Sequence, residues 1–190
     1  VIAGAGDATV AVCGLVAVGE SKMDGCKNYG NVTYTAGASY GALVGGLAGY
    51  NDGAMNKCEN HGNVTMSVES LSAYGVVKSI DNLPIHIGGL AAQLGANAPV
   101  TEAINKGTVD YDITKVENLA VSCETNRPRM GGIVGLTQSS ITSSVNEGIV
   151  DVNVVTSDSS IFSGKNYPIN VGGISGGLIT YGEAKTLQRV

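Results

Sequence analysis

Two short patterns recur along this chain at a near-constant separation, and that recurrence restricts the fold more than any other feature. The first is a glycine pair followed by an aliphatic residue: Gly45-Gly46-Leu47, Gly88-Gly89-Leu90, Gly131-Gly132-Ile133 and Gly172-Gly173-Ile174. Cys13-Gly14-Leu15 is a first copy in which Cys replaces the leading Gly. The second pattern reads Asn28-Tyr29-Gly30-Asn31-Val32, Asn60-His61-Gly62-Asn63-Val64, Asn105-Lys106-Gly107-Thr108-Val109 and Asn146-Glu147-Gly148-Ile149-Val150. From the second Gly to the Asn, the counts 14 to 28, 46 to 60, 89 to 105 and 132 to 146 give offsets of 14, 14, 16 and 14. Chance does not hold such a register over four copies, so the chain is read as a repeat protein.

The segments after each Val alternate apolar and polar residues: Val64-Thr65-Met66-Ser67-Val68, Val109-Asp110-Tyr111-Asp112-Ile113 and Val150-Asp151-Val152-Asn153-Val154. A period of two is strand periodicity. A variable stretch follows, closed by Asn82-Leu83-Pro84, Asn126-Arg127-Pro128 or Asn166-Tyr167-Pro168. The repeat from Gly14 to Gly46 is 32 residues, and the next three are 43, 43 and 41. Each repeat holds about three strand-like pieces between Gly, Asn or Pro turns, with no helical periodicity. The expected fold is all-β, a parallel β-helix of four to five rungs, right-handed and three-sided. It forms one domain over residues 1–190, with repeats near 13–44, 45–87, 88–130 and 131–171 and a partial one at 172–190. The rival is a β-propeller, whose four-stranded blades fit three strand pieces less well.

In a solenoid, equivalent residues stack about 4.8 Å apart. Leu15, Leu47, Leu90, Ile133 and Ile174 are then an inward aliphatic column, and Val32, Val64, Val109 and Val150 another. Asn28, Asn60, Asn105 and Asn146 are expected to form an asparagine ladder at a bend, satisfying backbone groups the turn frees. The glycines two residues on suit either positive φ or close backbone approach.

The stretch Gly45-Gly46-Leu47-Ala48-Gly49-Tyr50-Asn51-Asp52-Gly53, continued by Cys58-Glu59-Asn60-His61-Gly62-Asn63-Val64, resembles the GLUG-type repeat of bacterial surface proteins. That repeat also occurs outside the catalytic domains of some IgA-cleaving metallopeptidases. Later copies depart from it: Ala92 stands where Gly49 would be, and Thr137-Gln138 replaces the Asn-Asp-Gly turn. The resemblance implies a secreted or surface-exposed bacterial β-solenoid and carries no catalytic motif.

Composition narrows the partners. The 190 residues suffice for one domain with a real core. Eleven basic residues, unclustered in a chain of net charge −5, make nucleic acid and anionic membranes poor partners. Ala8 to Val18 is apolar but too short to cross a bilayer, and is expected to be a buried strand. Residues 182–190 are expected to be a short helix or tail, and the chain to be a segment of a longer protein. Without convincing caps, end-to-end contact with further solenoid domains is expected.

Three groups are candidate site residues. Asp110, Asp112 and Asp151 fall on outward columns within two rungs, where oxygen clusters suit Ca²⁺. A solvated face whose charges prevent sheet-to-sheet association is the plainer account. Tyr74, Phe162, Tyr167 and Arg127 lie in the variable loops at one corner, where repeat proteins build binding faces. Cys26 and Cys58 share a column that Ala103 and Ser144 continue. Free thiols among small side chains are the simpler reading there, and a disulfide between neighbouring rungs is the alternative. His61 and His86 join no Ser/His/Asp or Cys/His constellation. The expected function is a non-catalytic, extracellular or cell-surface module that binds a host or microbial glycan or a surface protein, or serves as a stalk. The alternative is a polysaccharide lyase or glycoside hydrolase using the three aspartates, with Arg127 or Arg129.

Overall fold

The structure is a computed structural model and describes residues 9–36, 41–68, 71–72, 85–113, 116–117, 128–154, 169–178 and 187–188. No helix occurs among them. Strands one turn apart pair in parallel, which makes the chain a parallel β-helix and excludes the propeller.

Among the described residues, each of the first four turns contributes five strand segments, and the fifth adds strands to sheets I, II and III. Sheet I stacks Val10–Cys13, Ala42–Gly45, Ile85–Gly88, Arg129–Gly131 and Asn170–Gly172. Sheet II stacks Val16–Gly19, Ala48–Asn51, Ala91–Leu94, Val134–Thr137 and Ser175–Leu178. Sheet III holds Met23–Asp24, Met55–Asn56, Val100–Thr101, Ile141–Thr142 and Leu187–Gln188. Sheet IV holds Lys27–Asn28, Glu59–Asn60, Ile104–Asn105 and Val145–Asn146. Sheet V holds Val32–Ala36, Val64–Val68, Val109–Ile113 and Val150–Val154. A small pair, Leu71–Ser72 with Val116–Glu117, extends two of the return legs.

Three strand pieces per turn is therefore an undercount. The two-residue segments of sheets III and IV are too short to show period-two alternation and read as bends. Leu187–Gln188 is a strand paired with Ile141–Thr142, not part of a helix. The apolar run at 8–18 is no single buried strand either. It breaks at Gly14-Leu15 into strands of sheets I and II, with Val12 buried and Val18 68% exposed.

The registers reproduce the sequence columns. Val44 pairs with Val12 on one side and Ile87 on the other, and Ile87 with Met130. This inward column packs against Val32, Tyr34, Val64, Met66, Val109 and Tyr111 of sheet V. A second core encloses Leu47, Leu90 and Ile133 together with Met55, Val100 and Ile141. Each fully buried Leu or Ile contributes about 1.5–3 kcal/mol. Between the two cores runs the asparagine ladder. Asn28 Nδ2 donates to Asn60 Oδ1 at 2.9 Å, Asn60 to Asn105 at 2.8 Å and Asn105 to Asn146 at 2.8 Å. Each amide also donates to the carbonyl of the glycine two residues on, at 2.7–2.8 Å.

Gly62, Gly107 and Gly148 after the ladder are there for close approach, because the positive-φ glycines lie elsewhere, at Gly25 and Gly41, while Gly30, in the first turn, has room for a Cβ. A Cβ on Gly62 would strike the Gly30 carbonyl, and one on Gly107 the Gly62 carbonyl. The longer offset in the third copy has a local cause. Residues 95–99 link sheets II and III there, where residues 52–54 and 138–140 suffice in the turns on either side. The Asp52 carboxylate holds the longer link by accepting from the Asn97 backbone N–H and Nδ2, both at 3.0 Å.

Candidate functional site

Around the ladder bend, from sheet IV into sheet V, alternate residues turn outward. Lys27, Tyr29, Asn31, Thr33 and Thr35 do so in the first turn, and Glu59, His61, Asn63, Thr65 and Ser67 in the second. Ile104, Lys106, Thr108, Asp110 and Asp112 follow in the third, and Val145, Glu147, Ile149, Asp151 and Asn153 in the fourth. Between them run the Asn, Gly and Val columns and the Tyr34/Met66/Tyr111 column, buried in the second and third turns and partly exposed in the fourth. The result is a continuous outward grid of five columns by four turns. Its spacing is about 4.8 Å along the solenoid and about 6.6 Å across it.

The acidic column lies in this grid as its spacing predicts. Asp110 pairs in register with Thr65 and Asp151, and Asp112 with Ser67 and Asn153. Partial burial raises the Asp110 pKa, and the charges of Asp112 and Asp151 add to the rise. The trio is therefore a repulsive cluster. Among the described residues, no group of three or more His, Cys, Asp or Glu side chains is placed to hold a metal ion.

At the other end of the grid is a constellation that the residues taken singly do not show. The Tyr29 ring stacks on His61 with centroids 4.5 Å apart, and Tyr29 remains 69% exposed. His61 Nε2 donates to Glu59 Oε2 at 2.7 Å, and Lys27 Nζ meets Glu59 Oε1 at 2.7 Å. Hydrogen bonds from Lys27, then His61, hold the Glu59 carboxyl below the usual range. The signal was in the sequence: Lys27 and Glu59, like Tyr29 and His61, are 32 residues apart, one full turn. Next to them the Asn31 side-chain oxygen accepts from the Asn63 N–H at 2.9 Å, and Asn63 Oδ1 accepts from the Thr108 N–H at 3.0 Å.

His86 belongs to a different face. It lies on the outward column of sheet I beside Arg129, yet is only 3% exposed. Arg129 Nη1 donates to His86 Nε2 at 3.3 Å. Because guanidinium nitrogens only donate, Nε2 must accept, and Nδ1–H donates to Gln93 Oε1 at 3.2 Å. Burial, then the Arg129 charge, lowers the His86 pKa to about 3. Arg129 is thus engaged away from the three aspartates.

Tyr74, Phe162, Tyr167 and Arg127 lie outside the described residues, as does Cys123. Cys13, Cys26 and Cys58 are free thiols, so no disulfide joins Cys26 to Cys58. Cys58 is fully buried and donates weakly to the Met23 and Asn56 carbonyls, both at 3.5 Å. One and two turns further, Ala103 and Ser144 fill the same column, and Ser144 Oγ accepts from the Ala103 N–H at 3.1 Å. Comparison of the chain with protein-family models, with curated proteins and with solved structures returned no match in any of the three.

Proposed function

We propose that this chain is a non-catalytic solenoid module of a secreted or cell-surface protein. It binds a glycan or a protein surface through the outward grid of sheets IV and V. The observation that carries this reading is the grid's construction. Every second residue faces outward, while in the central turns its neighbours are fixed in the ladder and the core, so the array is presented on a rigid backbone. Tyr29 offers an open ring face of the kind that stacks on a sugar or anchors a protein contact, and Asn31, Asn63, Thr33 and Thr65 add hydrogen-bonding groups at rung spacing. The likeness of residues 45–64 to the GLUG-type repeat supports the extracellular placement.

One observation favours a second reading. A carboxyl with a raised pKa beside two others is the arrangement a glycoside-cleaving acid requires. A panel of polysaccharides, scored for both retention on the immobilised chain and release of reducing ends, separates the two. Retention without release, weakened at least tenfold by Tyr29→Ala, is the expected result. Release that Asp110→Asn abolishes would replace the binding module with the enzyme.

A further inference from the structure

The sulfur-bearing side chains of the second core are gathered at one corner of the solenoid. Met23 and Met55 pair in register in sheet III, and their column continues as Val100 and Ile141. Three residues after each methionine, across the left-handed corner at Gly25 and Lys57, come Cys26 and Cys58. That column continues as Ala103 and Ser144. Sulfur therefore fills both columns in the first two turns and neither column in the next two. The four side chains belong to one packed core. Met55 and Cys58 are fully buried, Met23 is 7% exposed, and Cys26 packs against them from a partly exposed position.

The two cysteines are direct neighbours. The Glu59 N–H donates to the Cys26 carbonyl at 2.9 Å, and Lys27 and Glu59 pair in register. The Cys26 side chain hydrogen-bonds to the Cys58 thiol, whose sulfur also lies 3.5 Å from the Met23 carbonyl oxygen. Neighbouring turns are about 4.8 Å apart. A disulfide brings two sulfurs to about 2.0 Å and two Cβ atoms to about 3.8 Å, which this spacing resists. Metal–thiolate bonds of about 2.3 Å on either side of one ion span about 4.6 Å, which it suits. The donors are soft throughout. Among the described residues, no imidazole or carboxylate completes a group of three with these cysteines. Zn²⁺ takes thiolate, imidazole and carboxylate in a closed tetrahedron, whereas Cu(I) accepts both thiolate and thioether sulfur.

We infer that Met23, Cys26, Met55 and Cys58 form a site for a soft monovalent metal ion, Cu(I). The ion bridges the two cysteine sulfurs of adjacent turns, and the two thioethers complete its surroundings. Cys26, partly exposed, is the point of entry, and Cys58 is the buried anchor. Each thiol releases its proton to solvent as its sulfur takes the ion. The ion enters and stays as Cu(I), so no oxidant or reductant is consumed. The site is inside the solenoid and independent of any ligand on the outward grid, so failure in the polysaccharide panel does not touch it.

The test presents Cu(I) to the full chain without oxygen, in competition with the coloured Cu(I) complex of bicinchoninate. The chain is expected to withdraw one Cu(I) per molecule and, once loaded, to melt at a higher temperature. Cys26→Ser and Cys58→Ala introduce residues that this column already carries as Ser144 and Ala103, so the fold is kept, which circular dichroism verifies. Each is expected to lower Cu(I) affinity at least about a hundredfold and to abolish the melting shift. Met55→Leu, close in volume, is expected to weaken binding at least about fivefold. Cys13→Ser combined with Cys123→Ser is expected to change nothing, and X-ray absorption of the bound copper to show sulfur ligands only. Four results would overturn the proposal: a chain that withdraws no Cu(I) while all four of its thiols are reduced; binding that survives Cys26→Ser and Cys58→Ala; binding lost with Cys13 and Cys123; or affinity unchanged by both Met23→Leu and Met55→Leu.

Discussion

A histidine on an outward column is ordinarily a solvated group, but His86 is enclosed and receives a hydrogen bond from Arg129. Its native pKa of about 3 lies well below the value of about 6.5 for an unfolded chain. Between those two pH values the unfolded chain holds a proton that the folded chain refuses. Stability therefore falls as pH falls through that window, by about 1.4 kcal/mol per unit. The groups that face the ring are Gln93, which favours the proton, and Arg129, which opposes it. Urea melts at pH 7 and 4.5 should show the wild type losing about 2–3 kcal/mol more than His86→Gln. Equal losses would mean that His86 does not carry the acid sensitivity. Asp110 has the opposite sign. Its folded pKa is raised, so its ionised form opposes folding at pH 7 and that opposition fades as pH falls. Asp110→Asn is expected to add about 0.2–1 kcal/mol at pH 7 and little at pH 3.5, read from thermal melts at the two pH values. The aspartate cluster was legible in the sequence because period-two alternation and repeat register together place side chains. The His86–Arg129 pair was equally available, 43 residues apart and so one turn apart, but it appears only when the columns of sheet I are aligned rather than each histidine weighed alone.

At the level of elements, the ladder and the glycine columns were readable because a stacked position admits few residue types, and that restriction repeats along the chain. The corner between sheets III and IV was not readable. Its residues Gly25, Lys57, Glu102 and Ser143 occupy one column, all at φ between 50° and 63°, and three of the four are not glycine. A left-handed residue carrying a Cβ costs about 1–2 kcal/mol, and nothing in its identity announces it. Ser143→Gly should therefore raise stability by about 0.5–1 kcal/mol, since Ser143 is exposed and the glycine's greater unfolded entropy offsets only part of the relief. A denaturation midpoint at or below wild type would contradict this account of the corner. The opposite substitution in the other glycine column should be severe. A Cβ on Gly89 would fall on the Gly132 carbonyl and the Asn105 carboxamide, neither of which can move without breaking the ladder. Gly89→Ala should lose at least about 2–3 kcal/mol in the same melts. Glycine at this corner therefore reflects the distance between turns, not backbone flexibility.

For the whole molecule, the relevant fact is that each turn touches only the next. Stability in such an array is close to a sum of turn terms and interface terms, and it is lowest where a turn has one neighbour instead of two. Turns two and three have both neighbours, and their corner residues Leu47 and Leu90 are fully buried, while Leu15 in the first turn is half exposed. The ladder has the same grading: Asn60 and Asn105 are fully buried and each both gives and receives an inter-asparagine hydrogen bond, whereas Asn28 only gives one and Asn146 only receives. Backbone amide exchange should therefore be slowest in residues 42–68 and 85–113 and faster in 10–19 and 170–178, with protection falling outward in steps. Exchange measured by mass spectrometry should show that gradient. Uniform protection from the first turn to the last would instead mean that the chain unfolds as one unit, and that the interfaces between turns are strong enough to erase the difference between an end turn and a central one.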